Sequence, residues 1–534
     1  MGDDLSPETS EERPVATLKP NRPTYWMTRF VLLRLLGGVY LAAFLAATNQ
    51  IVPLIGHEGL LPADQFLERV VRHFGSVSGA FWNLPTLFLW KLSDGWLLGV
   101  SCAGVGLALL VVAGFANVII LAVLWALYLS IVHVGQLWYS YGWETQLLET
   151  GFAAMFLCPL VDARPFARSA PPVVVLWIYR WLIFRIMLGA GLIKIRGDAC
   201  WRDLTALVYH YETQPVPNPL SRILHFAPVW FHKAGVLWNH FVELLVPWFG
   251  FWPALARNSA GLLMTAFMGI LILSGNLSFL NWLTIVPCLA CVDDSLWRRV
   301  LPAWLVRRAE EAEAARITSR APLIAGWGYA AVVAALSVAP VLNLFSSQQA
   351  MNASFDRLHL VNTYGAFGTV GRERYEIVFE GTEEPLGVES AQWKEYEFKV
   401  KPGNPDRRPS VITPYHHRLD WQIWFAAIPA VHGDLRTMPR PEHYPWVLHF
   451  LWKLLHNDKG TLSLIAHNPF PETPPRYVRA ALYRYRFAPL GGAREGAAWW
   501  DRERVGLWYP AASLYTPEFR RFLEAHGMIS PGAL

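Results

Sequence analysis

The stretch Val173-Val174-Val175-Leu176-Trp177-Ile178-Tyr179-Arg180-Trp181-Leu182-Ile183-Phe184-Arg185-Ile186-Met187-Leu188-Gly189-Ala190-Gly191-Leu192-Ile193-Lys194-Ile195 decides the fold class. It is long enough and apolar enough to cross a bilayer, which takes about 20 residues as a helix. It also carries two arginines and a lysine. Ionisable groups inside a span are costly and face a partner or a cavity. Eight further segments read the same way: Thr28–Ala47, Gly95–Ala113, Phe115–Val132, Tyr141–Leu160, Ala234–Pro253, Ser259–Ser274, Leu277–Val292 and Leu323–Phe345. The break Ser274-Gly275-Asn276 leaves open whether two of these are one interrupted helix, so the count of about nine is uncertain by about two.

Composition agrees. Of 534 residues, 53% are hydrophobic and only 16% charged, against about 25% charged in average globular chains. The 26 tryptophans suit membrane interfaces. A net charge of +5 without a basic block argues against nucleic acid as a partner. Five cysteines cannot all pair within the chain. No cleavable signal peptide is evident, because residues 1–27 are polar.

Basic residues fall in four short groups: Arg13, Lys19, Arg22 and Arg29; Arg164 and Arg168; Arg257; and Arg298 to Arg320. Nine spans place all four on one face, which is then cytoplasmic. The expected organisation is a polar tail over 1–27, then an α-helical polytopic membrane domain over 28–345. Outer loops cover 49–94 and 196–233, and a soluble β-rich extracytoplasmic domain covers 346–534. The last domain rests on short alternating runs such as Tyr375-Glu376-Ile377-Val378-Phe379 and Tyr396-Glu397-Phe398-Lys399-Val400, separated by Gly, Pro and Asn. Helical spacing returns from Pro445 to Asn457.

Several clusters are candidates for chemistry. Glu144, Glu149, Arg180, Arg185, Lys194, His240 and Glu243 fall in neighbouring spans, either around a polar cavity or as ion pairs that fix helix register. His240 and Glu243 are three apart and share a helix face. Lys194 sits beside Arg196 and Asp198, as a general base or as an interfacial anchor paired to Asp198. Lys194, Glu149, His240 and Glu243 are the catalytic candidates. The outer loop offers Asp198, Trp201, His210, Tyr211, Glu212, Gln214, Pro217, Asn218 and Pro219 as a structural or client-docking surface. His210 and Glu212 form either an acid/base pair or part of that surface. Cys288 and Cys291 have redox spacing without a second pair, or are core thiols. Pro414 to Trp421 groups two His, an Arg and an Asp, at an interface turn or a metal site. No nucleophile elbow, phosphate loop or dinucleotide fingerprint occurs, so neither a metal nor a cofactor is expected.

These motifs name a family by resemblance. Gly142-Trp143-Glu144-Thr145-Gln146-Leu147-Leu148-Glu149-Thr150-Gly151-Phe152 resembles a lipase maturation factor signature. So do Gly189 to Asp203, His210 to Pro215 with Pro217-Asn218-Pro219, Asn239 to Pro247, Ser274 to Trp282, Asn362 to Gly368, and His467-Asn468-Pro469-Phe470. The resemblance covers roughly residues 30–510. It implies a membrane chaperone that helps secreted lipases mature, resident in the endoplasmic reticulum membrane of a eukaryote or the inner membrane of a bacterium. The implied partners are membrane lipid and a secreted client protein. A local likeness is similar to vitamin K-dependent carboxylases: Ala190-Gly191-Leu192-Ile193-Lys194, then Asp198 and Trp201, with altered spacing and Arg196 inserted. It implies an alternative, a membrane enzyme acting on a quinone-like or lipid substrate with Lys194 as base.

Overall fold

The computed structural model describes residues 23–386, 391–429, 440–490 and 498–532. Its first two thirds are helical. The principal helices are α1 (Trp26–Ile55), α2 (Asp94–Ala113), α3 (Val118–Val134), α4 (Gly142–Met155), α5 (Val173–Arg196), α6 (Val229–His240), α7 (Ala254–Ser274), α8 (Leu280–Leu289), α9 (Ala321–Leu336) and α10 (Val338–Phe345).

Among the described residues, α1, α2, α5 and α7 are long and apolar enough to cross a membrane. The pair α9 and α10, bent by 40°, adds a fifth, and α3 and α8 are shorter apolar helices. The nine segments expected all carry helix, but length and composition alone qualify four or five. The shortfall has local causes. The expected fourth span is only the 14 residues of α4, about 21 Å of helix against about 30 Å of hydrocarbon. The expected sixth ends as α6, followed by a π turn at Phe241–Leu245 and 3-10 turns over Val246–Phe251. Pro247 there has no amide hydrogen to continue an α-helix.

The break at Ser274-Gly275-Asn276 separates two helices rather than interrupting one. Gly261, early in α7, lies against Cys288 and Val292 at the far end of α8, so the two run antiparallel. Asn276 accepts from the Ile412 N–H at 2.9 Å and donates to the Ser410 carbonyl at 2.7 Å, anchoring a C-terminal segment.

Small residues let α1 and α2 approach closely. A Cβ on Gly104 would fall within the Phe44 ring. Gly104→Ala is therefore expected to cost about 1–3 kcal/mol through overpacking, seen as a lower unfolding temperature in detergent. Gly99 meets no atom within 4 Å of an added Cβ, so Gly99→Ala on the same helix should be nearly neutral.

Of the first basic group, Arg13, Lys19 and Arg22 lie outside the described residues; Arg29, Arg168 and Arg257 belong to one bonded region. Asp294 receives the backbone N–H groups of Trp26, Met27 and Thr28 at 2.7, 3.0 and 3.2 Å. It thereby satisfies amides that open α1 and complements the helix dipole. Arg29 donates to the carbonyls of Ala167 and Ser169, Arg257 pairs with Asp293 at 2.5 Å, and the Ile317 N–H reaches the Arg168 carbonyl.

The C-terminal region combines strands with helices. An antiparallel sheet has order β2-β1-β5-β6, with β1 (Arg374–Thr382), β2 (Lys394–Glu395), β5 (Tyr477–Phe487) and β6 (Trp500–Ala512). A small second sheet pairs β3 (Glu397–Phe398) with β4 (Ile465–His467). Helices α11 (Arg418–Ala426) and α12 (Pro445–Leu455) accompany them. The expected strand at Tyr375–Phe379 lies within β1, and the helical run from Pro445 is α12. All nine residues of β1 are buried, which explains why its acidic residues need partners. Glu376 takes Arg374 at 2.5 Å and Lys401 at 2.8 Å.

This region is bonded to the helices by buried groups. Arg418 pairs with Glu144 at 2.8 Å. Gln50, near the end of α1, donates to the His416 carbonyl at 2.7 Å. Arg374 donates to the carbonyls of Glu212, Gln214 and Pro215. Hydrophobic packing is continuous across the boundary, from Leu36 and Leu148 to Ile377 and Phe450.

Candidate functional site

Lys194 lies near the end of α5, where Gly191 lets the next chain segment come close. A Cβ at Gly191 would press on Leu244 and Glu243. The π turn after α6 carries Glu243, four residues beyond Asn239. Lys194 Nζ donates to Glu243 Oε1 at 2.5 Å and to Asn239 Oδ1 at 3.0 Å. Asn239 Nδ2 closes the ring to Glu243 Oε2 at 2.6 Å. The Trp201 ring lies 5.0 Å from Nζ. Lys194, Asn239 and Glu243 are all buried.

This triad forms part of the wall of a cavity of about 1130 Å³. The cavity exceeds the roughly 300–1,000 Å³ of ordinary small-molecule pockets. Its floor comes from α5, α7 and α8, through Met187, Phe267, Met268, Leu271 and Leu280. The opposite wall comes from the outer loop and the C-terminal region, through His210, Phe367, Trp421 and Trp424.

The expected catalytic set divides here. Lys194 and Glu243 meet; Glu149 and His240 stand apart from them. Glu149 pairs with Arg185 and accepts from the Asn362 backbone and side chain, both at 3.0 Å, and from Tyr364 Oη at 2.6 Å. It is a docking point for the C-terminal region. His240 Nε2 bonds the Trp201 carbonyl at 3.0 Å. Glu144 serves Arg418 and Tyr128. Arg180 donates to the Ala290 carbonyl and Tyr25 Oη. Of the charges expected around a polar cavity, Lys194 and Glu243 border this one.

The outer-loop candidates are built into the fold. Asp198 accepts from the Cys200 N–H at 3.0 Å and from Arg372 at 2.8 Å, not from Lys194. Burial opposes its charge, but these bonds and that of the Val370 N–H outweigh it and hold the carboxyl at about 2. Trp201 Nε1 donates to the Phe367 carbonyl. Gln214 Nε2 reaches the Ser274 carbonyl and Ser221 Oγ, both at 3.0 Å. Asn218 caps the helix Pro219–His225 and reaches the Leu273 carbonyl at 2.8 Å. Pro219 opens that helix, a position where no amide hydrogen is needed. Pro217 offers its carbonyl to Asn276. Tyr211 borders the cavity.

His210 and Glu212 do not meet as an acid/base pair. Glu212 receives the Phe487 N–H at 2.7 Å, and its imidazole neighbour is His225 at 3.6 Å. Burial raises the Glu212 carboxyl. Burial, and secondarily Lys194, pushes His210 down to about 4. A histidine kept neutral by the fold stabilises it fully only above its ordinary value of about 6.5. As the pH falls from there toward 4, the unfolded chain takes up a proton and the folded chain does not, so stability drops. His210→Asn should flatten the fall of unfolding temperature between pH 6.5 and 4; an unchanged slope would contradict this.

Among the described residues no group of three His, Cys, Asp or Glu could hold a metal ion. His416 is enclosed by Tyr141, Trp143 and Trp421, and Asp420 accepts from the Val400 and Lys401 N–H groups. Cys288 and Cys291 are buried free thiols. Sequence reading passed over Asn239 as a site residue, although it lies one helical turn before Glu243. It also passed over Arg372, whose partner Asp198 is distant in sequence, and Arg374, which reaches the distant carbonyls of Glu212, Gln214 and Pro215.

Comparison with known proteins agrees with this architecture. A model of the lipase maturation factor transmembrane domain matches residues 27–299, and one of the lipase maturation factor C-terminal domain matches 360–510. Lipase maturation factor 1 of Bos taurus is 48% identical, over 92% of this chain and 90% of its own length. The Homo sapiens protein of that name is 47% identical, over 96% and 92%. Lipase maturation factor 2 of Xenopus laevis is 29% identical, over 94% and 84%. No solved structure shows a significant match. These relatives lend no support to the carboxylase likeness. The chain is a multi-pass membrane protein, and it belongs to the lipase maturation factor family.

Proposed function

We propose that this chain is a maturation factor that helps secreted lipases reach their active fold. The observation that carries the reading is the 47% identity to human lipase maturation factor 1 across 96% of this chain and 92% of that one. Partial likeness confined to the membrane helices would have supported a shared scaffold only.

The domain boundaries we assign are 1–27, 28–345 and 346–534. Nine crossings, counting the shorter helices, put the four basic groups on the cytoplasmic side. The bonds of Arg29 to the Ala167 carbonyl and of Arg257 to Asp293 near the start of α1 support this. The C-terminal region touches the opposite end of α1 at Gln50, which supports an extracytoplasmic placement. Residence in the endoplasmic reticulum membrane follows for a eukaryotic source, and in the inner membrane for a bacterial one. The client surface comprises the 196–233 loop and the C-terminal domain; Asp198, Trp201, His210, Tyr211, Glu212, Gln214, Pro217, Asn218 and Pro219 hold that loop in shape. Membrane lipid surrounds the helices.

The test is complementation. The chain is expressed in cells lacking their own lipase maturation factor, and secreted lipase activity is assayed. Restored activity at matched lipase expression supports the reading. A correctly inserted, well-expressed chain that restores none contradicts it.

A further inference from the structure

We propose that the cavity beside Lys194 binds one neutral glycerolipid drawn sideways from the membrane. This is a binding site, with no chemistry at the lysine, and it stands whether or not a lipase is the client.

Access comes first. Ala234 on α6 and Ile270 on α7 both line the cavity, and both are exposed. Around them Trp230, Leu237 and Leu273 are exposed apolar side chains on the same two helices. The cavity lining thus adjoins exposed apolar side chains, and contiguous apolar surface marks a membrane or partner contact. On helices assigned to the membrane, that surface meets lipid tails. The floor of Met187, Phe267, Met268, Leu271 and Leu280 suits acyl chains.

Polarity decides the head. Among the described residues, every charged side chain lining the cavity is already matched. Lys194 has Glu243, Arg374 has Glu376, and Glu373 has Arg484. No cation is left over for a phosphate or a free carboxylate. Uncharged hydrogen-bonding capacity, by contrast, is present. Ser140, Tyr211, Asn281, Thr284 and Gln422 line the cavity with uncharged polar groups. Ligand sites pair an apolar lining with a few such polar groups that orient the head. Hydroxyl and amide side chains both donate and accept, so a head that also does both is matched. Ester carbonyls and a hydroxyl on one molecule supply both, and a diacylglycerol has them. A soluble peptide would bring acceptors and donors too, but the lateral opening onto lipid-facing helices favours the lipid.

The test uses the full chain in phosphatidylcholine nanodiscs with no client present. One set carries a trace of photo-reactive diacylglycerol, a second the same acyl chains as phosphatidic acid. Cross-linked peptides are mapped by mass spectrometry. The expected result is diacylglycerol labelling of the Phe267–Leu280 segment, with phosphatidic acid confined to outer faces. Ala234→Trp should cut cavity labelling several-fold, and Ile270→Trp is a second, independent plug. Leu237→Trp, on α6 but outside the cavity, should leave it unchanged. Equal cavity labelling by phosphatidic acid would overturn the neutral head. Labelling restricted to outer faces, or indifferent to both plugs in folded protein, would overturn the site, as would labelling by a photo-reactive peptide in place of lipid. Lipase activity does not enter the measurement, so its outcome and that of the complementation assay are separable.

Discussion

Arg418→Ala is expected to destabilise the protein by about 3–5 kcal/mol, the cost of leaving a buried carboxylate unpaired. Arg418 and Glu144 are both fully inaccessible to solvent. The guanidinium lies over the Tyr139 ring, 3.5 Å from its centroid, and also donates to the Trp138 carbonyl at 2.5 Å. This one side chain therefore joins α11 to α4 and to the turn before it. A loss of that size is a large part of the roughly 5–15 kcal/mol that holds a typical domain. Limited proteolysis should then cut first around α11, and the unfolding temperature in detergent should drop sharply. Arg418→Lys should recover little, because a point charge cannot both stack on Tyr139 and bridge two acceptors. Full stability in Arg418→Ala would mean that the C-terminal region is held elsewhere.

The second large effect concerns Lys194. Lys194→Ala strands Glu243 as a buried charge, and a loss of about 3–5 kcal/mol is again expected. Replacing both charges is different. In Lys194→Met/Glu243→Gln the thioether chain fills the lysine's path, and the new amide still meets Asn239, so most of the lost stability should return. Paired buried charges exchanged together for neutral groups are often near neutral in cost. Thermal unfolding of the single and double variants side by side checks this. Equal loss in both would give Lys194 a role beyond its pairing with Glu243.

Much of the fold was legible because membrane physics writes it in composition. The long apolar runs of α1, α2, α5 and α7 need no tertiary information to be seen. The basic groups were legible as short clusters between apolar runs, and Arg29 and Arg257 find their partners near the start of α1. Span count was less legible. Pro247 marks where the expected sixth crossing leaves the α-helix, yet Pro53 and Pro287 lie inside α1 and α8. A proline therefore does not announce by itself which helix it will break. The triad was half legible: Lys194 and Glu243 stood out as costly charges, but nothing local says that they choose each other. Glu149, equally conspicuous, is taken by Arg185, Asn362 and Tyr364 instead. Pairings across more than a hundred residues, such as Glu144 with Arg418, depend on topology that periodicity does not carry. A cavity was suggested by the intramembrane charges, but its extent was not legible, since its walls come from the membrane helices, the outer loop and the C-terminal region at once.

The central claim is that this chain matures secreted lipases through folded surfaces and that its buried charges serve structure. Secreted lipase activity in cells lacking their own maturation factor tests it most directly, with wild type, Lys194→Ala and Lys194→Met/Glu243→Gln expressed at matched membrane levels. The account predicts rescue by wild type and by the double variant, with Lys194→Ala failing in proportion to its loss of folded protein. Rescue by wild type alone, with the double variant stably folded yet inactive, would contradict it.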